Sequence, residues 1–218
     1  MLDILISLLV YSNKGDSEMR RAKLGDVYYM KISNGYKIYQ WAYRVPKRGD
    51  YIRVFDGLYK EVPDKDYIDK LIRNEHSYII NFNAGRAYRT ELAYLIDNYP
   101  IPEEYPFPDY MVFILSYGNG IHSFKVNGTK DWSDGGRFHV KSINELPEKY
   151  RNIKLLNSYP TASWIMYLFE IGFDLSKPEL FWPASVSNGE EITKKYQKIV
   201  EKALEKEKEK KANRKSKK

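Results

Sequence analysis

Between Asp26 and Val45 apolar and polar positions alternate with the period of two that a half-buried β-strand requires, and Asn34-Gly35 interrupts them. An Asn-Gly pair is the strongest two-residue hairpin signal, because both central positions of a type I′ turn need positive φ. The pattern predicts a hairpin of Asp26–Ser33 with Tyr36–Val45, Met30 opposite Tyr39 and Tyr28 opposite Trp41. These residues and Ile32 form the core face, and Tyr29, Lys31, Ser33 and Gln40 form an opposite face expected to be half-solvated.

The turn Pro46-Lys-Arg-Gly49 then leads to a third strand, Tyr51–Phe55, completing a meander. Pro63-Asp64 is a helix start, and Tyr67, Ile68, Leu71 and Ile72 recur at helical spacing as far as Arg73. Ser77–Phe82 alternates again as a strand, and Thr90 is expected to cap a second short helix running through Asp97, with Leu92, Leu95 and Ile96 inward. Tyr99 to Pro108 holds four prolines in ten residues, which excludes a central strand or helix interior.

A second β-unit is predicted from Tyr110 to Tyr117, turning at Gly118-Asn119-Gly120 and returning over Ile121–Val126. Asn127-Gly128 reads as a further turn, and Arg137–Lys141 as a strand after the Gly135-Gly136 break. Ser163–Phe173 is a strongly apolar helix, and Glu190 to Lys218 carries one stripe of Ile192, Tyr196, Ile199, Ala203 and Leu204. The last helix is expected to dock up to Leu204 and to fray beyond it. The predicted fold class is α+β: an antiparallel, partly closed, barrel-like sheet with a few packed helices and a charged C-terminal helix. Its organisation is an apolar segment over 1–22, one domain over 23–189 and a Lys/Glu-rich tail over 190–218.

The 218 residues carry a formal charge of +7. Divided along the chain, residues 190–218 hold 12 Lys/Arg and 6 Asp/Glu, whereas residues 1–189 hold 24 and 23. The body is thus nearly neutral and the excess charge sits in the tail, so a basic stripe for nucleic acid must come from local placement or from the tail, where at most weak binding is expected. With no cysteine and three histidines, disulfide frameworks, thiol nucleophiles and cysteine-based metal sites are excluded, and a reducing, cytoplasmic setting is the simplest expectation. Leu2 to Tyr11 is almost wholly apolar, but ten helical residues reach about 15 Å against a hydrocarbon core of about 30 Å. Asp3 also stands where a signal peptide carries a cation, so the segment reads as a docking helix or as sequence upstream of a true start at Met19.

No G-x-S-x-G, G-x-x-x-x-G-K-[ST] or H-E-x-x-H pattern occurs. Arg137, His139 and Lys141 share one face of a strand near Asp131 and Asp134, a group that could handle a phosphodiester but equally describes a solvated strand. His122 reads as a packed histidine and His76 as a helix-to-strand junction. The chain is therefore expected to be no enzyme, with no cofactor, metal site or membrane partner. Two loops instead combine carboxylates with rings: Tyr59, Glu61, Asp64 and Asp66 in one, and Glu103, Glu104, Tyr105, Phe107 and Asp109 in the other. Acidic groups beside aromatic anchors suit a partner whose own site is basic.

The run Lys23-Leu-Gly25-Asp26-Val27-Tyr28-Tyr29-Met30-Lys31-Ile32 with Asn34-Gly35-Tyr36 resembles the first motif of the immunity protein 26 family, bacterial antidotes encoded beside polymorphic toxins. The likeness continues into Ile52-Arg-Val-Phe55-Asp56 and, more loosely, into the Pro102–Pro108 loop before Asp109-Tyr110, spanning about residues 23–115. The resemblance implies a cytoplasmic protein that binds and blocks a cognate toxin domain, and it carries over no catalytic residues. The two acidic loops are then the candidate toxin-binding residues. The alternative expectation is a nucleic-acid-binding small β-barrel that uses the basic tail.

Overall fold

The computed structural model describes residues 20–118 and 121–216. The apolar N-terminal segment and most of the expected Gly118-Asn119-Gly120 turn lie outside them. Among the described residues nine strands form one sheet: β1 (Asp26–Ile32), β2 (Gly35–Val45), β3 (Gly49–Val54), β4 (Tyr78–Asn81), β5 (Tyr94–Asn98), β6 (Tyr110–Gly118), β7 (Ile121–Gly128), β8 (Asp134–Val140) and β9 (Leu155–Leu156). Four α-helices of the described residues accompany them: α1 (Lys65–Arg73), α2 (Ala84–Arg89), α3 (Ala162–Glu170) and α4 (Gly189–Ser216). The class is α+β, as expected, but the sheet is open. Its order is β5-β1-β2-β3-β4-β9-β6-β7-β8, so β5 and β8 are free edges that never meet. Two antiparallel blocks are spliced by the two residues of β9, which run parallel to both β4 and β6. With its two edges unpaired the sheet does not close, which corrects the barrel-like expectation.

The first hairpin forms with its register displaced. Ile32 pairs with Gly35 and Tyr28 with Tyr39, so Ser33-Asn34 is the loop and Gly35 already belongs to β2. Gly35 sits at φ 152°, and a Cβ there would lie 2.3 Å from the Tyr59 carbonyl oxygen. Tyr59 bridges to Tyr36 at this point, its carbonyl accepting from the Tyr36 amide at 2.8 Å. The glycine is therefore required for close approach of a distant backbone as much as for a turn. Because each residue's partner moves by two positions, every side chain keeps its face. Tyr28, Met30, Ile32, Tyr39 and Trp41 all enter the main core as predicted.

α3, capped by Thr161, covers that core with Ile165, Met166, Leu168 and Phe169, and α4 packs on α3. On the first hairpin the opposite sheet face is solvated only towards the tip, where Lys31 and Ser33 are exposed and Tyr29 partly so. Helix α1 lies across that face, burying Ile68, Leu71 and Ile72 against Val27, Ile38 and Phe55, and Gln40 is fully enclosed. Asp64 caps α1 as expected, its carboxylate accepting from the Tyr67 amide at 2.8 Å.

The helix expected over Thr90–Asp97 is absent. Asn83 caps the preceding α2, and Thr90 ends it instead, its hydroxyl donating back to the Arg86 and Ala87 carbonyls at 3.0 and 3.1 Å. Glu91 at φ 59° then reverses the chain into edge strand β5. Leu95 faces the main core and Ile96 the α1 side, the alternation of a strand rather than a helical stripe. The Asn127-Gly128 and Gly135-Gly136 breaks are likewise strand ends and interiors of β7 and β8, with the turn between them passing through Trp132 at φ 57°.

α4 remains helical to Ser216 rather than fraying after Leu204. Tyr196 anchors it: its hydroxyl donates to Glu170 at 2.8 Å and accepts from the Ser33 amide at 3.0 Å, joining α4, α3 and the hairpin tip. Further along, Lys206 at 2.8 Å and Lys210 both pair with Glu91. Among the described residues no helix is long and apolar enough to cross a membrane.

Candidate functional site

The α1 side of the sheet is organised around a buried cation. Gln40 and Arg53 stand opposite each other on β2 and β3, on a face whose neighbours are apolar. Arg53 is fully buried, and none of its bonds goes to a carboxylate. Its guanidinium donates to Gln40 Oε1 at 3.0 Å, to His76 Nδ1 at 3.3 Å and to the Ile72 and Asn74 carbonyls at 3.3 Å each. Those carbonyls close the last turn of α1, where unsatisfied oxygens and the negative end of the helix dipole favour a cation. The Tyr105 and Phe55 rings lie 4.4 and 5.2 Å from its Cζ, adding two π faces.

Burial and the neighbouring cations Arg53 and Lys154 push the His76 imidazole down to about 3. It is therefore neutral, which leaves Nδ1 free to accept from Arg53.

This cluster pins the proline-rich loop. Tyr105 covers Arg53, meets the His76 ring edge-on at 5.4 Å, and its carbonyl accepts from the Tyr43 hydroxyl at 2.7 Å. Phe107 wedges between Tyr43 and Tyr51, each ring centroid 5.3 Å away. Both rings, expected to anchor a partner, are turned inward and hold the loop on the sheet. Glu103 and Glu104, between the prolines, remain exposed.

The other acidic loop reaches the same side of the sheet. Tyr59 packs on the Val27–Phe55 cluster, donates to the Asp56 carbonyl at 3.0 Å and meets the ring of Tyr67 at 5.7 Å. Tyr67, grouped by helical spacing with the inward Ile68, Leu71 and Ile72, is instead half-exposed on the first turn of α1, three residues after the capping Asp64 and beside Tyr59 of the acidic loop. Glu61 and Asp66 are exposed, and Asp64 is engaged as the cap.

The structure thus brings most of the candidates to one surface. α1 is nine residues long, about 13 Å, with Asp64, Asp66 and Tyr67 at its start. At its far end Asp69, Arg73, Glu103 and Glu104 line a cleft of about 350 Å³. Asp109 does not join them, being paired with Lys130 at 3.0 Å near the β7–β8 turn. Two cations temper the surface: Lys65 pairs with Asp97 at 2.6 Å and Arg73 with Asp69 at 3.3 Å.

The histidine group lies at the solvent-exposed edge of the sheet. Arg137 and His139 are exposed on edge strand β8 and Lys141 just beyond its end, while Asp131 and Asp134 accept from the Ser133 and Gly136 amides at 2.9 and 3.0 Å. His122 is buried, its Nε2 3.8 Å from Glu179. Among the described residues no three His, Cys, Asp or Glu side chains are placed to hold a metal ion. No family model, no curated protein and no solved structure matches this chain.

Proposed function

We propose that the chain is a binding protein without catalytic activity, which neutralises a cognate bacterial toxin domain by presenting the α1 surface to a basic cleft. The observation that carries the reading is the convergence of both acidic loops on one rigid face, with the proline-rich loop held by Tyr105 and Phe107 and its carboxylates outward. Preorganised carboxylates bind a basic surface without an ordering cost, and complementary charge accelerates encounter. The resemblance of residues 23–115 to bacterial immunity proteins supplies the class of partner, and a toxin acting on nucleic acid supplies the basic cleft.

The tail is the weaker candidate for binding nucleic acid, because several of its lysines are already occupied: Lys206 and Lys210 by Glu91, Lys194 by Glu190 and Lys211 by Glu207.

The test is to look for a toxin gene beside this one and to measure growth protection against its product, with association measured in parallel. Reversing Asp66, Glu103 and Glu104 to Lys is expected to slow association at least tenfold and to weaken its salt dependence, with the fold intact because all three are exposed. Undiminished protection by that variant at wild-type expression would remove this surface from consideration.

A further inference from the structure

The far end of the same sheet side carries an opposite charge. In β6, β7 and β8 the residues Val112, Ile114, Phe124 and Val126 enter the main core, and Phe138 packs against it. The alternate residues of these strands face away. Strand register sets Phe113, Lys125 and Arg137 in one row across the three strands, since Phe113 pairs with Lys125 and Lys125 with Arg137. His139 follows Arg137 in the next row opposite Ser123, and Lys141 lies just beyond the strand end. Arg137, His139 and Lys141 are exposed, Phe113 and Lys125 are partly exposed, and Ile121 nearby is 45% exposed.

Like charges directly opposite each other in a sheet are destabilising, yet Lys125 and Arg137 are direct cross-strand partners. Among the described residues neither makes an ion pair, and nor do His139 and Lys141, while two acids close to them in sequence accept from backbone amides. Asp134 accepts from the Gly136 amide and Glu145 from the Lys141 amide. Charge on an edge strand also blocks edge-to-edge pairing, but that role needs only β8. It does not account for a lysine on the inner strand β7 beside a partly exposed ring.

We propose that this β6–β8 face binds single-stranded nucleic acid. Phosphates between Lys125, Arg137 and Lys141 relieve the like-charge row, and Phe113 offers a π face on which an unstacked base can rest. A duplex hides its bases from such a ring, which is why a single strand is assigned. The inference stands whether or not the α1 surface takes a toxin.

The experiment is fluorescence anisotropy of a labelled oligouridylate of about 15 nucleotides, a length within the site sizes of sheet-face binders, titrated with the full chain at several salt concentrations. Lys125→Glu is the informative variant, because it places a carboxylate opposite Arg137 and should leave the melting temperature equal or higher. It is expected to weaken binding about tenfold and to lower the salt slope by about 0.7. Phe113→Ala is expected to weaken binding several-fold with little change in that slope. Truncation after Leu204 is expected to leave affinity within about twofold, as the tail lies outside this face. No binding at low salt, affinity lost with the tail and not with Lys125→Glu, tighter binding of a duplex of the same length, or equal binding of polyglutamate would each overturn the assignment.

Discussion

Arg53 and His76 show how a single buried charge can be stable without an opposite one. Isolated charges are expelled from protein interiors because desolvation costs several kcal/mol, and the usual remedy is a carboxylate. Here helix-end carbonyls, the Gln40 oxygen, a neutral imidazole and two ring faces share the task. The neutral imidazole makes stability depend on pH. His76 titrates at about 3 in the folded chain against an ordinary 6.5, so between those values the unfolded chain binds the extra proton. Its contribution is complete above about 6.5 and is lost progressively as pH falls toward 3. Wild type is expected to lose about 2 kcal/mol from this group between pH 6.5 and 5. Urea denaturation at both pH values should show a smaller loss for His76→Gln, in which nothing protonates in that window. Equal losses in the two proteins would mean that the imidazole is charged in the folded state.

At the level of elements, the proline-rich loop is the segment whose role changed most between sequence and structure. Its four prolines forbid regular structure and stiffen it, as read from the sequence. Its two rings serve this chain rather than a partner, because β2 and β3 offer Tyr43, Tyr51 and Arg53 on the uncovered half of their outer face. Phe107→Ala is therefore expected to cost about 2 kcal/mol of stability, read by urea denaturation, since it empties a three-ring contact. If a partner binds Glu103 and Glu104, the same variant should weaken binding by loosening the loop although Phe107 makes no contact of its own. A stability loss under about 0.5 kcal/mol would show that the loop is held by its backbone alone.

Across the whole molecule, α4 divides into a packed half and a solvated half. Tyr196 is buried and ties three elements together, whereas beyond Leu204 the helix meets the body through charged groups, Lys206 and Lys210 paired with Glu91 and Glu207 lying near Arg86 and Arg89. Exposed ion pairs contribute little because water and salt screen them and long side chains resist immobilisation. Deleting residues 206–218 is expected to move the melting temperature by no more than about 2 °C, and deletion from Lys195 onward to abolish cooperative unfolding. A large shift from the shorter deletion would show that the terminal turns are a structural strut. The charge layout is also a property of the whole: a nearly neutral body conceals an acidic α1 surface and a basic β6–β8 face on one side of the same sheet.

What depends on neighbours within a few residues was legible in the chain order alone. Strand periodicity set which side chains of β1 and β2 enter the core, Asp64 set the start of α1, and the apolar run after Thr161 set α3. Tertiary structure decided what depends on residues far away. The hairpin register follows from the Tyr59 backbone pressing on Gly35, and Tyr94–Asn98 is a strand because the free edge of β1 accepts it. The two antiparallel blocks form one sheet because Leu155 and Leu156 splice between β4 and β6, a pairing to which two residues give no local signal. Likewise Arg53, flanked by Ile52 and Val54, reads as one polar position in an alternating strand. Only the arrival of the α1 carbonyls, His76 and Tyr105 from three other segments makes its burial possible.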